Sequence, residues 1–69
     1  MNFTYEPLWK LLVKKQMSKT DLKKITHLAP ATIAKLGKNE PVNMKVLAKI
    51  CLVLNCDIGD IVSVRGEFK

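Results

Sequence analysis

SKTDLKKITHLAPATIAKLGKN, residues 18–39, reads as two short helices around a three-residue break. Ser18-Lys19-Thr20-Asp21 is a capping-box pattern. The Ser18 hydroxyl can accept from the Asp21 N–H while the Asp21 carboxylate reaches back to the Ser18 N–H. The helix that follows is expected over 19–26, burying Leu22 and Ile25 and turning Lys19, Lys23 and Lys24 to solvent. His27-Leu28-Ala29 breaks it. Pro30 then suits the first turn of a helix over 30–37, where a missing N–H costs nothing. Ile33 and Leu36 face inward on that helix, and Ala31, Ala34 and Lys35 face elsewhere. Gly37 to Pro41 is a loop by composition, with Asn39 suited to a left-handed conformation.

Upstream, Pro7 sits at the start of a helix expected over about 6–16, with Leu8, Leu11 and Leu12 on its inner face and Trp9 at the edge of the apolar stripe. Downstream, Asn43 caps a helix over 44–54 whose core stripe is Met44, Leu47, Ile50, Cys51 and Leu54. Lys45 and Lys49 mark its wet face, but Val46, Leu52 and Val53 are apolar too, a surplus that suits central burial or a partner subunit. Asn55 suits a left-handed cap, and Asp57 to Asp60 opens a last short helix expected over 58–62. The alternating segments 2–5 and 61–65 can pair into a minimal sheet, and the tail from Gly66 to Lys69 is expected to fray.

Charge is unevenly placed along this frame. Residues 10–49 hold ten lysines against Asp21 and Glu40, a net +8, while the flanks set Arg65 and Lys69 against Glu6, Asp57, Asp60 and Glu67, a net −2. A polyanionic partner is therefore sought in the first two thirds of the chain. Sixty-nine residues suit a single domain over 1–69 in which nearly every apolar side chain is needed for packing. The longest apolar run, Ile50–Leu54, is far short of the roughly 20 residues of a membrane span. No basic start precedes the first apolar stretch, so the expected location is cytoplasmic. Cys51 and Cys56, five apart across a helix end, have poor geometry for a bridge and read as reduced core thiols. One histidine, no nucleophile–base pair, no phosphate-cradling glycine loop and no paired carboxylates exclude an enzyme. No metal, cofactor or small-molecule ligand is indicated.

The segment 18–39, followed by PVNMKVLAKICLVLNCDIGDI, resembles the Xre/Cro-type helix-turn-helix domain of phage-repressor-like regulators, in particular short stand-alone bacterial or phage members. The resemblance covers about residues 6–62. It implies an all-α, five-helix lambda-repressor-like DNA-binding fold with its helix-turn-helix core at 19–37. It also implies a transcriptional regulator of double-stranded DNA, bound as a homodimer on half-sites about 34 Å apart. The family's third helix enters the major groove, which makes Pro30, Ala31, Thr32 and Lys35 the base-facing positions. Ser18, Lys19, Lys23, Lys38, Asn39, Asn43 and Lys45 match phosphate-facing positions. Phe3, Tyr5, Trp9, Val46, Leu52 and Val53 are the candidates for a dimer contact.

Three departures from the pattern matter. His27 stands where the family usually has glycine, Ala29 where it has a capping Ser or Thr, and Pro30 and Ala31 where it has Gln, Asn or Arg. Lys35 is left as the one side chain suited to a guanine O6/N7 pair, so direct readout is thin. The competing function is a protein-interaction module, antitoxin-like or a phage-encoded inhibitor, on the same scaffold with little base-specific readout. RNA binding is disfavoured because no aromatic platform interleaves the lysines.

Overall fold

Local capping chemistry sets the helix boundaries in the computed structural model, which describes residues 3–64. Strand β1 (Phe3–Thr4) runs into α1 (Glu6–Lys14), where Pro7 occupies the first turn and the Thr4 Oγ1 accepts from the Glu6 N–H at 3.1 Å. α1 ends short of the expected Gln16 because Gln16 itself is left-handed, φ 58°, and the Met17 N–H donates back to the Leu12 carbonyl at 2.8 Å. α2 (Lys19–Thr26) and α3 (Pro30–Gly37) carry the expected bounds. α4 (Met44–Leu54) starts on Asn43, whose Oδ1 accepts from the Val46 N–H at 2.9 Å, and stops at Asn55, φ 55°.

The expected fifth helix over 58–62 does not form: among the described residues there are four α-helices, and Ile58–Asp60 is one turn of 3-10 helix. Its opening is well capped, with Asp57 and Asp60 reciprocating as in a capping box. Three residues, however, cannot recover the cost of nucleating a helix, and the central one is Gly59. The chain then passes through Ile61 and Val62 into β2 (Ser63–Val64), which pairs antiparallel with β1 in the register Phe3↔Val64, Thr4↔Ser63. The two terminal segments thus pair within one chain. Asn2 and Arg65, at the outer ends of the expected strands, and the tail from Gly66 to Lys69 lie outside the described residues.

The core collects Tyr5, Leu8, Leu12, Leu22, Leu36, Leu47, Ile50, Cys51, Leu54 and Ile61. Leu8, Leu22, Leu36, Ile50 and Ile61 are fully enclosed, each contributing about 1.5–3 kcal/mol by burial. Two expected core residues are not there: Ile25 is 43% exposed and Met44 65%. On α2 the i+4 partner of Leu22, Thr26, takes the inward place. Its hydroxyl donates to the Leu22 carbonyl at 2.6 Å, so the buried polar group is satisfied. Met44, the first residue of α4, lies beyond the edge of the packed layer. Cys51 is buried and Cys56 half-buried, both free. Burial, and then the neighbouring Cys56, pushes the Cys51 thiol up to about 11.

Candidate nucleic-acid interface

The start of α2 is built as the capping box requires. The Asp21 N–H donates to Ser18 Oγ at 3.1 Å and the Ser18 N–H donates to Asp21 Oδ2 at 2.9 Å. These bonds, the backbone N–H of Ser18 foremost, hold the Asp21 carboxyl below its ordinary range. The N–H groups of Lys19 and Thr20 are left as first-turn donors aimed out of the helix end. Lys19 and Lys23 are both exposed. The Lys19 ammonium is nonetheless placed, 4.7 Å from the centroid of the Trp9 ring.

His27 takes the left-handed conformation, φ 57°, that glycine usually supplies at this break, and its N–H donates to the Lys23 carbonyl at 2.9 Å. Ala29 provides no side-chain cap for α3; its carbonyl accepts from the Thr32 N–H at 3.0 Å and the Ile33 N–H at 3.2 Å. Leu28 and Ile33 are half-buried and Leu36 fully buried, which fixes α3 against the core. Pro30, Ala31, Ala34 and Lys35 are exposed, whereas Thr32 is half-buried.

Beyond α3, Lys38 is the exposed C-cap residue. Asn39 is left-handed, φ 56°, as its residue type suggests. Its side chain has a structural use that the sequence does not show: Oδ1 accepts from the Tyr5 N–H at 3.0 Å and from the Thr4 hydroxyl at 3.4 Å. The Tyr5 hydroxyl donates in turn to the Glu40 carbonyl at 2.8 Å. Asn43 is likewise engaged as the α4 cap, and Lys45 is exposed beside it.

Among the candidate dimer residues, Tyr5 is 2% exposed and has no surface to share, because its ring completes the core and its hydroxyl is spent on Glu40. Burial raises its phenol above the ordinary value. Phe3 packs edge-on against it at 5.5 Å, Trp9 and Val46 are half-buried against the core, and Leu52 and Val53 are exposed. An open groove of about 530 Å³ runs between α1 and residues 54–60, lined by Lys10, Lys14, Lys15 and Cys56 among others; none of its lining belongs to α2 or α3. Among the described residues no group of three His, Cys, Asp or Glu side chains could hold a metal ion, and no helix is long and apolar enough to cross a membrane.

No curated protein matches the chain. A solved structure, that of the transcriptional regulator VanUg, matches with a TM-score of 0.91 and 45% sequence identity over 96% of this chain and 88% of that one. The sequence model for the Cro/C1-type HTH DNA-binding domain matches residues 7–67. A capped α2, a three-residue break, an exposed α3 and a family match that runs almost from end to end have one meaning: this chain belongs to the Cro/C1-type helix-turn-helix DNA-binding domain family.

Proposed function

We propose that residues 1–69 act as one helix-turn-helix domain, a cytoplasmic transcriptional regulator that binds double-stranded DNA as a homodimer. α3 enters the major groove with Pro30, Ala31, Thr32 and Lys35 toward the bases. Ser18, the first-turn amides of α2, Lys19, Lys23, Lys38 and Lys45 face phosphates. The observation that carries this reading is the charge of the motif itself. Residues 18–39 hold five lysines and a single carboxylate, Asp21, and that carboxylate is tied to Ser18. The likeness to the transcriptional regulator VanUg supports the same use of the scaffold.

Lys35 is the one long polar side chain on the exposed face of α3, so base readout is narrow and phosphate positioning carries much of the affinity. Asn39 and Asn43 keep only their amide NH2 groups for a phosphate, since their oxygens are occupied. If about four lysines per monomer meet phosphates in a dimer, the log–log salt slope is roughly −7. Anisotropy titration of a labelled duplex over a range of salt measures that slope. Light scattering with and without duplex gives the oligomeric state. Binding that is absent or insensitive to salt overturns the regulator reading in favour of the protein-interaction module.

A further inference from the structure

Three elements meet at one ammonium group. Lys19 is the first residue of α2, its Nζ lies 4.7 Å from the centroid of the Trp9 ring on α1, and it lies 3.5 Å from where a Cβ would stand on Gly37, the last residue of α3. Trp9 is half-buried against the core, so the ring is a fixed platform and not a second mobile side chain. Gly37 leaves open the approach to the end of α3, whose terminal carbonyls carry the negative end of the helix dipole. Among the described residues this is the one lysine stacked on an aromatic ring.

The choice of partner matters chemically. Lys10 instead pairs with the carboxylate of Glu6 at 3.2 Å, which takes up one of its N–H donors and offsets part of its charge. An aromatic face attracts a cation without cancelling its charge or competing for its outward N–H donors. A lysine is otherwise a point charge on a flexible four-carbon stem that must be ordered on binding. We infer that Trp9 is a positioning residue for DNA binding: its ring aims the Lys19 ammonium toward the start of α2, where a phosphate is received. The inference rests on the DNA-binding reading above.

The test uses the whole chain, a labelled random-sequence duplex, and the variants Trp9→Leu, Trp9→Phe, Lys19→Met and Trp9→Leu/Lys19→Met. The contact exists before DNA binds, so Trp9→Leu loses only the pre-ordering of Lys19, bounded by the cation–π energy itself at about a two- to fivefold weaker affinity, with Trp9→Phe intermediate because it keeps a π face. The salt slope of Trp9→Leu stays that of the wild type, since the charge remains. Lys19→Met lowers the slope by about 0.9 per monomer. The deciding comparison is the double variant, in which removing Trp9 costs nothing further once Lys19 is gone. Trp9 is the only tryptophan, so its emission reads the contact directly. Duplex should change the emission of the wild type and leave that of Lys19→Met unchanged, a readout that stands if Trp9→Leu fails to fold. A Trp9→Leu effect that is absent, or equal with and without Lys19, overturns the positioning role alone. Salt-insensitive or absent wild-type binding overturns it together with the DNA-binding reading.

Discussion

Asn39 offers the sharpest test because fold and interface both lay claim to it. Its backbone is left-handed, φ 56°, and its Oδ1 takes hydrogen bonds from the Tyr5 N–H at 3.0 Å and the Thr4 hydroxyl at 3.4 Å. A backbone N–H can only donate, so the atom facing Tyr5 must be the oxygen and the NH2 group points away. Asn39→Ala removes the acceptor and puts a β-carbon with no local polar compensation in the left-handed region. The Tyr5 N–H, partly buried, loses its partner. Adding about 1 kcal/mol for the hydrogen bonding and about 1 kcal/mol for the backbone gives roughly 2 kcal/mol. In a domain this small that is about 8–15 °C in Tm.

Asn39→Asp separates the two roles. Aspartate supplies the same acceptor and tolerates the left-handed region, so its Tm should lie within about 2 °C of the wild type. It also replaces the outward NH2 by a carboxylate oxygen, and a phosphate at this position would then be repelled. Thermal unfolding followed by circular dichroism, paired with duplex anisotropy, measures both. Expected are an unstable Ala variant and an Asp variant that is stable but weak in binding. If Asp is as unstable as Ala, the acceptor account of the Thr4–Tyr5 clip is wrong. If Asp binds duplex as well as the wild type, Asn39 is purely structural.

Lys35→Ala should change preference among duplex sequences by about 1–3 kcal/mol at one base position, whereas Lys19→Ala should weaken all duplexes alike; a binding-site selection on both variants decides, and identical profiles refute the division of labour. His27→Gly should gain about 1 kcal/mol, read as a raised urea midpoint, because glycine adopts φ 57° without the strain an L side chain carries there. A lower midpoint would mean that the imidazole makes a stabilising contact of its own. Asp21, held below its ordinary 3.8, stabilises the fold above that value and loses the contribution as pH falls through the lowered one. The stability difference between wild type and Asp21→Ala should therefore be full near neutrality and shrink as the pH falls below 3.8, and a difference independent of pH would refute the capping-box account.

Capping signals were the most legible part of this sequence, because each is local. Ser18 with Asp21, Pro30 in a first turn, Asn43, and the left-handed Asn39 and Asn55 all stand where residue type alone places them. Two features are not legible from apolar spacing alone. Thr26 and Ile25 are both plausible inward partners of Leu22, and the i+4 position wins because the resulting buried hydroxyl can bond back along its own helix. The fifth helix failed because its pattern of apolar residues was too short to distinguish a helical turn from the approach to a strand, and the pairing with β1 settled it. Asn39 bonded to Tyr5 and Thr4, and Lys19 on Trp9, were invisible for the same reason: each joins residues of different elements, and the periodicity of a single element carries no information about its neighbours.

Those two long-range contacts share a consequence. Lys19 opens the helix-turn-helix unit and Asn39 closes it, and both ends are fastened to the same short segment, Thr4–Trp9. The unit is therefore held at its two edges by residues that come nowhere near the base-facing side of α3 in the chain. Its own internal packing is modest: α2 and α3 contribute Leu22, Thr26 and Leu36 as their fully enclosed side chains, and the rest of the core comes from α1, α4 and the terminal segments. With so little buried area of its own, the spacing between the α2 amides and the α3 face depends on where the N-terminal segment holds its two ends. Substitutions at Thr4, Tyr5 and Trp9 should then appear in duplex affinity as well as in stability, although none of the three is assigned a base or a phosphate. A contribution from this segment to affinity, with the fold intact, is what distinguishes a reading head positioned by its scaffold from one that is rigid by itself.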